Sequence, residues 1–153
     1  MTGPVDLRMN VANALEIANF LRQCDQQFVP PLSSRVEIAD YSSKIALSGE
    51  RFEAWSGPSL VGLVAAYCND AGRREAFITN VSILPEWTAR GLGTQLLRMC
   101  IGHAEQAGFR LLSLEVDVGN EGAIRLYKLC GFKAGLQRGS AQLMHLLVGA
   151  KEE

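Results

Sequence analysis

The segment from residue 75 to residue 118 restricts the fold more than any other. An apolar, β-rich run, residues 75–84, is halted by Pro85. A loop with Gly91-Leu92-Gly93 follows, then a helical stretch to about Ala107, then a second β-rich run over residues 109–118. In the helical stretch Leu96, Leu97, Cys100, Ile101 and Ala104 fall on one stripe. Gly108 stands where a left-handed helix terminus wants glycine. In the second run Leu112, Leu114, Val116 and Val118 share a face, opposite Ser113, Glu115 and Asp117. Two strands joined through a helix in one sheet form a right-handed crossover, so they should lie parallel.

The flanks complete a mixed sheet. Asp6–Met9 reads as a short opening strand. Residues 11–28 read as a helix, with Ala14, Ile17, Ala18, Leu21, Cys24 and Phe28 on one face, stopped by Pro30-Pro31. Residues 38–47 form a second helix ended by Gly49. Residues 51–55 and 59–69 are strands joined by Ser56-Gly57-Pro58, and Asp70-Ala71-Gly72 turns the chain again. Beyond residue 118, Asn120 can cap a helix that turns Ala123, Ile124, Tyr127 and Cys130 inward and ends at Gly131. Residues 141–148 read as the last strand, one edge of which would suit a homodimer. The expectation is one α+β domain over residues 1–153, a mostly antiparallel sheet with a parallel pair and helices on both faces.

Composition narrows the function classes. At 153 residues and 48% apolar, the chain can bury a core. A formal charge of −1, with no basic tract, argues against nucleic-acid binding. Apolar runs such as residues 60–68 are too short to cross a bilayer. Met1-Thr2-Gly3-Pro4-Val5-Asp6 lacks the basic-then-apolar layout of a signal peptide, and the four scattered cysteines have no Cys-x-x-Cys spacing. Reduced thiols and a cytoplasmic setting are therefore expected. His103 reads as a solvated surface residue and His145 as a structural one. Neither has metal-ligand spacing, so no metal is expected.

The glycine loop is the chemical signal. A helix N-terminus leaves unpaired N–H groups and partial positive charge, and glycines let an anion come close. Arg90 adds a full charge. The dinucleotide fingerprint is excluded because Leu96 stands where its third glycine belongs. A Walker loop is excluded because no lysine separates Gly93 from Thr94. Some other phosphate-bearing ligand fits better.

Arg90-Gly91-Leu92-Gly93, the amphipathic helix after it, Leu114-Glu115-Val116, and Asn120-x-x-Ala123-x-x-x-Tyr127-x-x-x-Gly131-Phe132 together resemble the GNAT superfamily of acyl-CoA-dependent N-acyltransferases. The likeness is close over about residues 75–134; elsewhere it rests on the order of elements. One departure is that Thr88 fills a position usually held by Gln or Arg. The resemblance implies acetyl-CoA as acyl donor. Val81, Ser82 and Ile83 would pair their backbone with the pantetheine arm. Ala89, Arg90, Gly91, Leu92, Gly93 and Thr94 would wrap the diphosphate, and Asn120 would bond the cofactor arm.

Tyr127 is implied as the acid for the thiolate leaving group, since a phenol of pKa ~10 stays protonated at neutral pH. Glu115 is the candidate base, with Glu75 a weaker one; Phe77 occupies a position where other members carry a glutamate base. Trp55 and Trp87 read as packing residues. For the acceptor, residues 28–35, Tyr41, Lys44, Asn69, Asp70, Thr79 and Asn80 suggest a polar lining. A small polar primary amine, an amino sugar among the options, would suit it by direct attack in a ternary complex. The other implied readings are a protein N-terminal or lysine acetyltransferase and a non-catalytic acyl-CoA-binding module.

Overall fold

The structure is a computed structural model that describes residues 4–72 and 74–149. Residues 1–3 of the N-terminal segment weighed above lie outside them. Seven strands form one sheet: β1 (Asp6–Met9), β2 (Glu50–Ser56), β3 (Ser59–Tyr67), β4 (Glu75–Ile83), β5 (Leu111–Asp117), β6 (Lys133–Arg138) and β7 (Ala141–Leu147). Four helices accompany them: α1 (Ala14–Cys24), α2 (Ile38–Ser48), α3 (Leu92–Gln106) and α4 (Glu121–Leu129). The strand order is β1-β2-β3-β4-β5-β7-β6, and all neighbours are antiparallel except β4 and β5. The expected crossover therefore stands, with Gly108 at φ +88° closing its helix.

Helix α1 is shorter than its apolar stripe. Asn13 caps it through a reciprocal pair: Glu16 N–H donates to Asn13 Oδ1 at 2.8 Å, and Asn13 N–H donates to Glu16 Oε1 at 2.9 Å. Past Cys24 the chain tightens into a 3-10 turn, Asp25–Gln27, ahead of a cis peptide at Val29–Pro30. Helix α2 ends at Gly49 as expected.

Strand register separates two faces. Phe52, Ala54, Gly62 and Val64 lie opposite one another in β2 and β3, on the side of α3. The His103 ring on α3 sits 5.6 Å from that of Phe52, so this histidine packs against the sheet where a surface position was expected. Gly62 lets α3 sit close to the sheet there, because a Cβ would stand 3.0 Å from Ile83 and 3.1 Å from Leu96. Glu53 faces the other way, to α1. It is fully buried and accepts N–H bonds from Val11, Ala12 and the Trp55 indole. Arg51 completes the arrangement, 3.5 Å from Glu53 and donating to Ala12 O at 3.1 Å. A buried carboxylate is tolerable when paired and bonded in this way. It ties the entry of α1 to the sheet.

Two expectations fail at the C-terminal edge. The final strand, β7, lies inside the sheet between β5 and β6, so the exposed edge belongs to β6. Strand β6 is not foreshadowed by the pattern, since all six of its residues are exposed and nothing buried marks one face. Val118 lies past β5 and is 39% exposed, because the chain already turns at Asp117.

Candidate active site

The parallel pair supplies the opening. Strands β4 and β5 pair only over Glu75, Ala76 and Phe77 against Leu111, Leu112 and Ser113. Beyond that point they splay, and the β5-facing backbone edge of β4 has no ladder partner. The splay begins near a register irregularity between β3 and β4 at Ala65/Ala66. A cleft of about 660 Å³ fills the gap, walled by residues 78–83 of β4, residues 114–117 of β5, helix α4 and the α1–α2 loop.

The expected residues separate into three places. Val81, Ser82 and Ile83 line the cleft along that free edge. Asn120 and Tyr127 line it from α4. Asn120 is also the cap of α4, its Oδ1 accepting from Ala123 N–H at 3.2 Å, which leaves its amide donors uncommitted to the helix. Tyr127 is 7% exposed and stacks edge-on with Phe132 at 6.1 Å. Burial pushes its phenol above the ordinary 10, so the hydroxyl keeps its proton at neutral pH.

The glycine loop lies at the end of the cleft. Of this segment Thr88 borders the cavity, while residues 89–94 sit just beyond it. Ala89 (φ +62°) and Gly91 (φ +80°) are both left-handed, which turns the chain sharply into α3. No side chain caps α3, in contrast to α1, α2 and α4. Its first-turn amides are therefore available to an anion. Gly93 packs closely against α4, since a Cβ would meet Leu126 at 3.2 Å. Arg90 donates to Glu86 O at 3.1 Å and lies 4.6 Å above the buried Trp87 ring, which holds its charge beside the loop. The Thr88 hydroxyl is spent locally on Pro85 O at 2.9 Å.

Glu115 lines the cleft from β5. Phe77 pairs with both Tyr67 and Ser113, so Tyr67, Phe77, Ser113, Glu115 and Asp117 share one face. The Lys44 ammonium of α2 lies 5.1 Å over the Tyr67 ring, which identifies that face as the α1/α2 side. Leu126 of α4 touches α3, so Tyr127 approaches from the other side. The two candidate catalytic groups thus come from opposite faces of the sheet.

Several alternatives fall away. Glu75 accepts a 2.5 Å bond from Ser113 Oγ at the closed end of the splay and does not border the cleft. His145 sits opposite Ser113 in register, beside Gly135, away from the cavity. Asn69 donates to Ser48 O, and Asp70 accepts from the amides of Gly72, Arg74 and Glu75, so both serve turns. Tyr41 is withdrawn behind the wall, its hydroxyl bonding Thr79 O at 2.7 Å and meeting Asn80 Nδ2 at 3.4 Å. Thr79 and Asn80 do line the cleft, as does the α1–α2 loop through Gln27, Phe28, Val29, Pro30 and Arg35. Asp117, Ser140 and Ala141 join the wall. Asp117 was signalled by its alternation with Glu115, whereas the β6–β7 turn carried no signal.

Among the described residues no three His, Cys, Asp or Glu side chains are grouped to hold a metal ion, and no helix is long and apolar enough to cross a membrane. The four cysteines are free. Burial raises Cys24 to about 12 and Cys68 to about 11, which leaves both poor nucleophiles.

Comparison with known proteins points one way. The model of the Acetyltransferase (GNAT) family matches residues 15–132. An uncharacterized N-acetyltransferase of Methanocaldococcus jannaschii is 40% identical over 77 residues, 48% of this chain and 34% of that protein. The [ribosomal protein bS18]-alanine N-acetyltransferase of Escherichia coli K12 is 40% identical over 58 residues, 38% of this chain and 39% of that one. The first relatives are matched over half their length or less. The crystal structure of PaiA N-acetyltransferase from Thermoplasma acidophilum in complex with coenzyme A superposes with a TM-score of 0.77, at 16% identity over 94% of this chain and 99% of that one. At that identity the likeness concerns the fold.

Proposed function

The chain belongs to the GNAT acetyltransferase family, and from that premise we propose that it transfers an acetyl group from acetyl-CoA to a primary amine within one domain spanning residues 1–153. The observation that carries this reading is the splay of β4 from β5, which opens a cleft between an uncapped helix N-terminus and two ionisable groups on opposite faces.

In this reading acetyl-CoA is a substrate held mostly by main chain. The free edge at Val81, Ser82 and Ile83 bonds the amides of the pantetheine arm, and Asn120 adds side-chain donors. The loop of Ala89, Arg90, Gly91, Leu92, Gly93 and Thr94 receives the diphosphate at the start of α3. The loss of a long donor at Thr88 is tolerable because backbone amides and the Arg90 charge remain.

An amine attacks only when neutral, so a base must take its proton. Glu115 stands on the α1/α2 side, where the acceptor would enter past the α1–α2 loop. Attack forms the C–N bond and a tetrahedral oxyanion, which a β4 N–H stabilises. Collapse breaks the C–S bond, and Tyr127 gives its proton to the departing thiolate from the α3/α4 side. Acid and base on different faces do not compete for one proton, which suits direct transfer in a ternary complex.

For the acceptor we favour a small polar amine, because the polar wall groups Thr79, Asn80 and Ser82 and the charged Arg35 and Glu115 stand close around a cleft of limited volume. A second reading, a protein N-terminus, is favoured by the name of the Escherichia coli relative. Calorimetry with acetyl-CoA, followed by thiol release over small amines and peptides, tests both. Heat without turnover on any acceptor would favour a binding module, and absence of heat would end the assignment.

A further inference from the structure

Charge is unevenly placed around the cleft. Glu115 and Asp117 lie two residues apart on the β5 wall, and Arg35 stands on the α1–α2 loop wall. The ion pairs among the described residues are Arg8–Asp6 and Arg51–Glu53, so Arg35 has no anionic partner among them.

Its backbone is nonetheless fixed. Ser33 donates through N–H and Oγ to the two oxygens of Asp25, both at 2.7 Å. Arg35 N–H donates to Leu32 O at 2.9 Å, and Leu32 is 2% exposed. The guanidinium is thus carried on a braced turn. Arg35 itself is exposed, so its guanidinium is an unpaired cation at the ligand wall, free to meet two oxygens of a carboxylate or phosphate with paired bonds.

Resting on the acetyl-transfer reading above, we infer that the acceptor is a small amine that also carries an anionic group, a carboxylate or a phosphate. Its ammonium faces Glu115, with Asp117 adding negative charge behind it although one of its oxygens is spent on Gly119 N–H at 2.7 Å, and its anion meets Arg35. An uncharged amino sugar or a neutral peptide N-terminus would cover Arg35 without matching it.

The test uses the full chain with saturating acetyl-CoA and reads thiol release. Glycine, β-alanine and 4-aminobutyrate form one arm, phosphoethanolamine a second. Ethanolamine, β-alaninamide, glucosamine and a neutral peptide with N-terminal alanine form the uncharged arm. The expected result is a kcat/KM about tenfold or more above the uncharged arm for at least one anionic amine. The better of the two anionic arms identifies carboxylate or phosphate.

Arg35→Gln should raise KM for the anionic amine about tenfold and leave acetyl-CoA affinity unchanged. Arg35→Glu should move preference toward diamines, a change that loss of structure alone does not produce. Equal rates for β-alanine and its amide, equal use of the neutral peptide, or an Arg35→Gln loss shared by every acceptor would overturn the inference. Acetyl-CoA heat with no turnover in any arm would also overturn it while leaving the donor site intact. Absence of that heat would remove the acetyl-transfer reading itself.

Discussion

Helices α1 and α3 each follow a strand through a short connection, yet their first turns are completed in opposite ways. At α1 the protein supplies its own acceptors. Asn13 and Glu16 exchange bonds, and buried Glu53 takes the amides of Val11 and Ala12 just upstream. At α3 a left-handed glycine stands at the cap position and no side chain closes the turn. The same four orphan amides are a stability problem at one end and a binding resource at the other. A helix start without its own acceptor is poised for an external one.

The largest test of that contrast is Gly91→Glu. An added Cβ meets nothing within 4 Å, so the fold has room, although φ +80° strains any non-glycine residue. The new carboxylate would stand where the diphosphate belongs. Acetyl-CoA affinity should fall at least about 100-fold by calorimetry, with a melting temperature only slightly lowered. Unchanged affinity would mean that the open turn of α3 does not hold the donor.

Tyr127→Phe asks whether chemistry follows the open end. The ring stays and packs against Phe132, while the hydroxyl is lost. Turnover should drop about 100-fold with acetyl-CoA affinity nearly unchanged. A kcat equal to the wild-type value would remove the acid role. The converse variant, Asn13→Ala, attacks the closed end. It should cost about 1 kcal/mol of stability, read by denaturant unfolding, and leave acetyl-CoA affinity untouched.

The contrast also marks what the sequence discloses. Gly91 with Gly93 is a local signal, and the crossover between β4 and β5 follows from chirality alone; the Asn13–Glu16 cap is equally local but stayed hidden inside a helix read as residues 11–28. Tyr127 and Glu115 could be placed on a helix and a strand by period. That they approach the cleft from opposite faces follows from the register of β3, β4 and β5 and from the contact of α4 with α3, which are long-range pairings. Local patterning also assigned Tyr41, Asn69 and Asp70 to the acceptor lining because they are polar and near the central strands. The structure spends each on a backbone group, and a hydroxyl or carboxylate that closes a turn looks the same in sequence as one that meets a ligand. Strand β6 escaped because an exposed edge strand buries nothing and so leaves no periodic trace.

The smallest expected effect separates neutral acceptors from charged ones. Asp70 closes its turn as Asn13 closes α1, but with a carboxylate. Backbone N–H bonds, that from Gly72 first, hold its pKa below the ordinary 3.8. A lowered folded-state pKa means that the contribution is present above the unfolded value and is lost as pH falls through the folded one. Asp70→Asn should therefore melt slightly below wild type near neutral pH, and the gap should close on acidification to below the carboxylate range. The Asn13→Ala deficit should persist over the same titration, because the amide it removes has no proton to gain. If both gaps closed together, the acid sensitivity would belong to the fold as a whole and not to the charged turn.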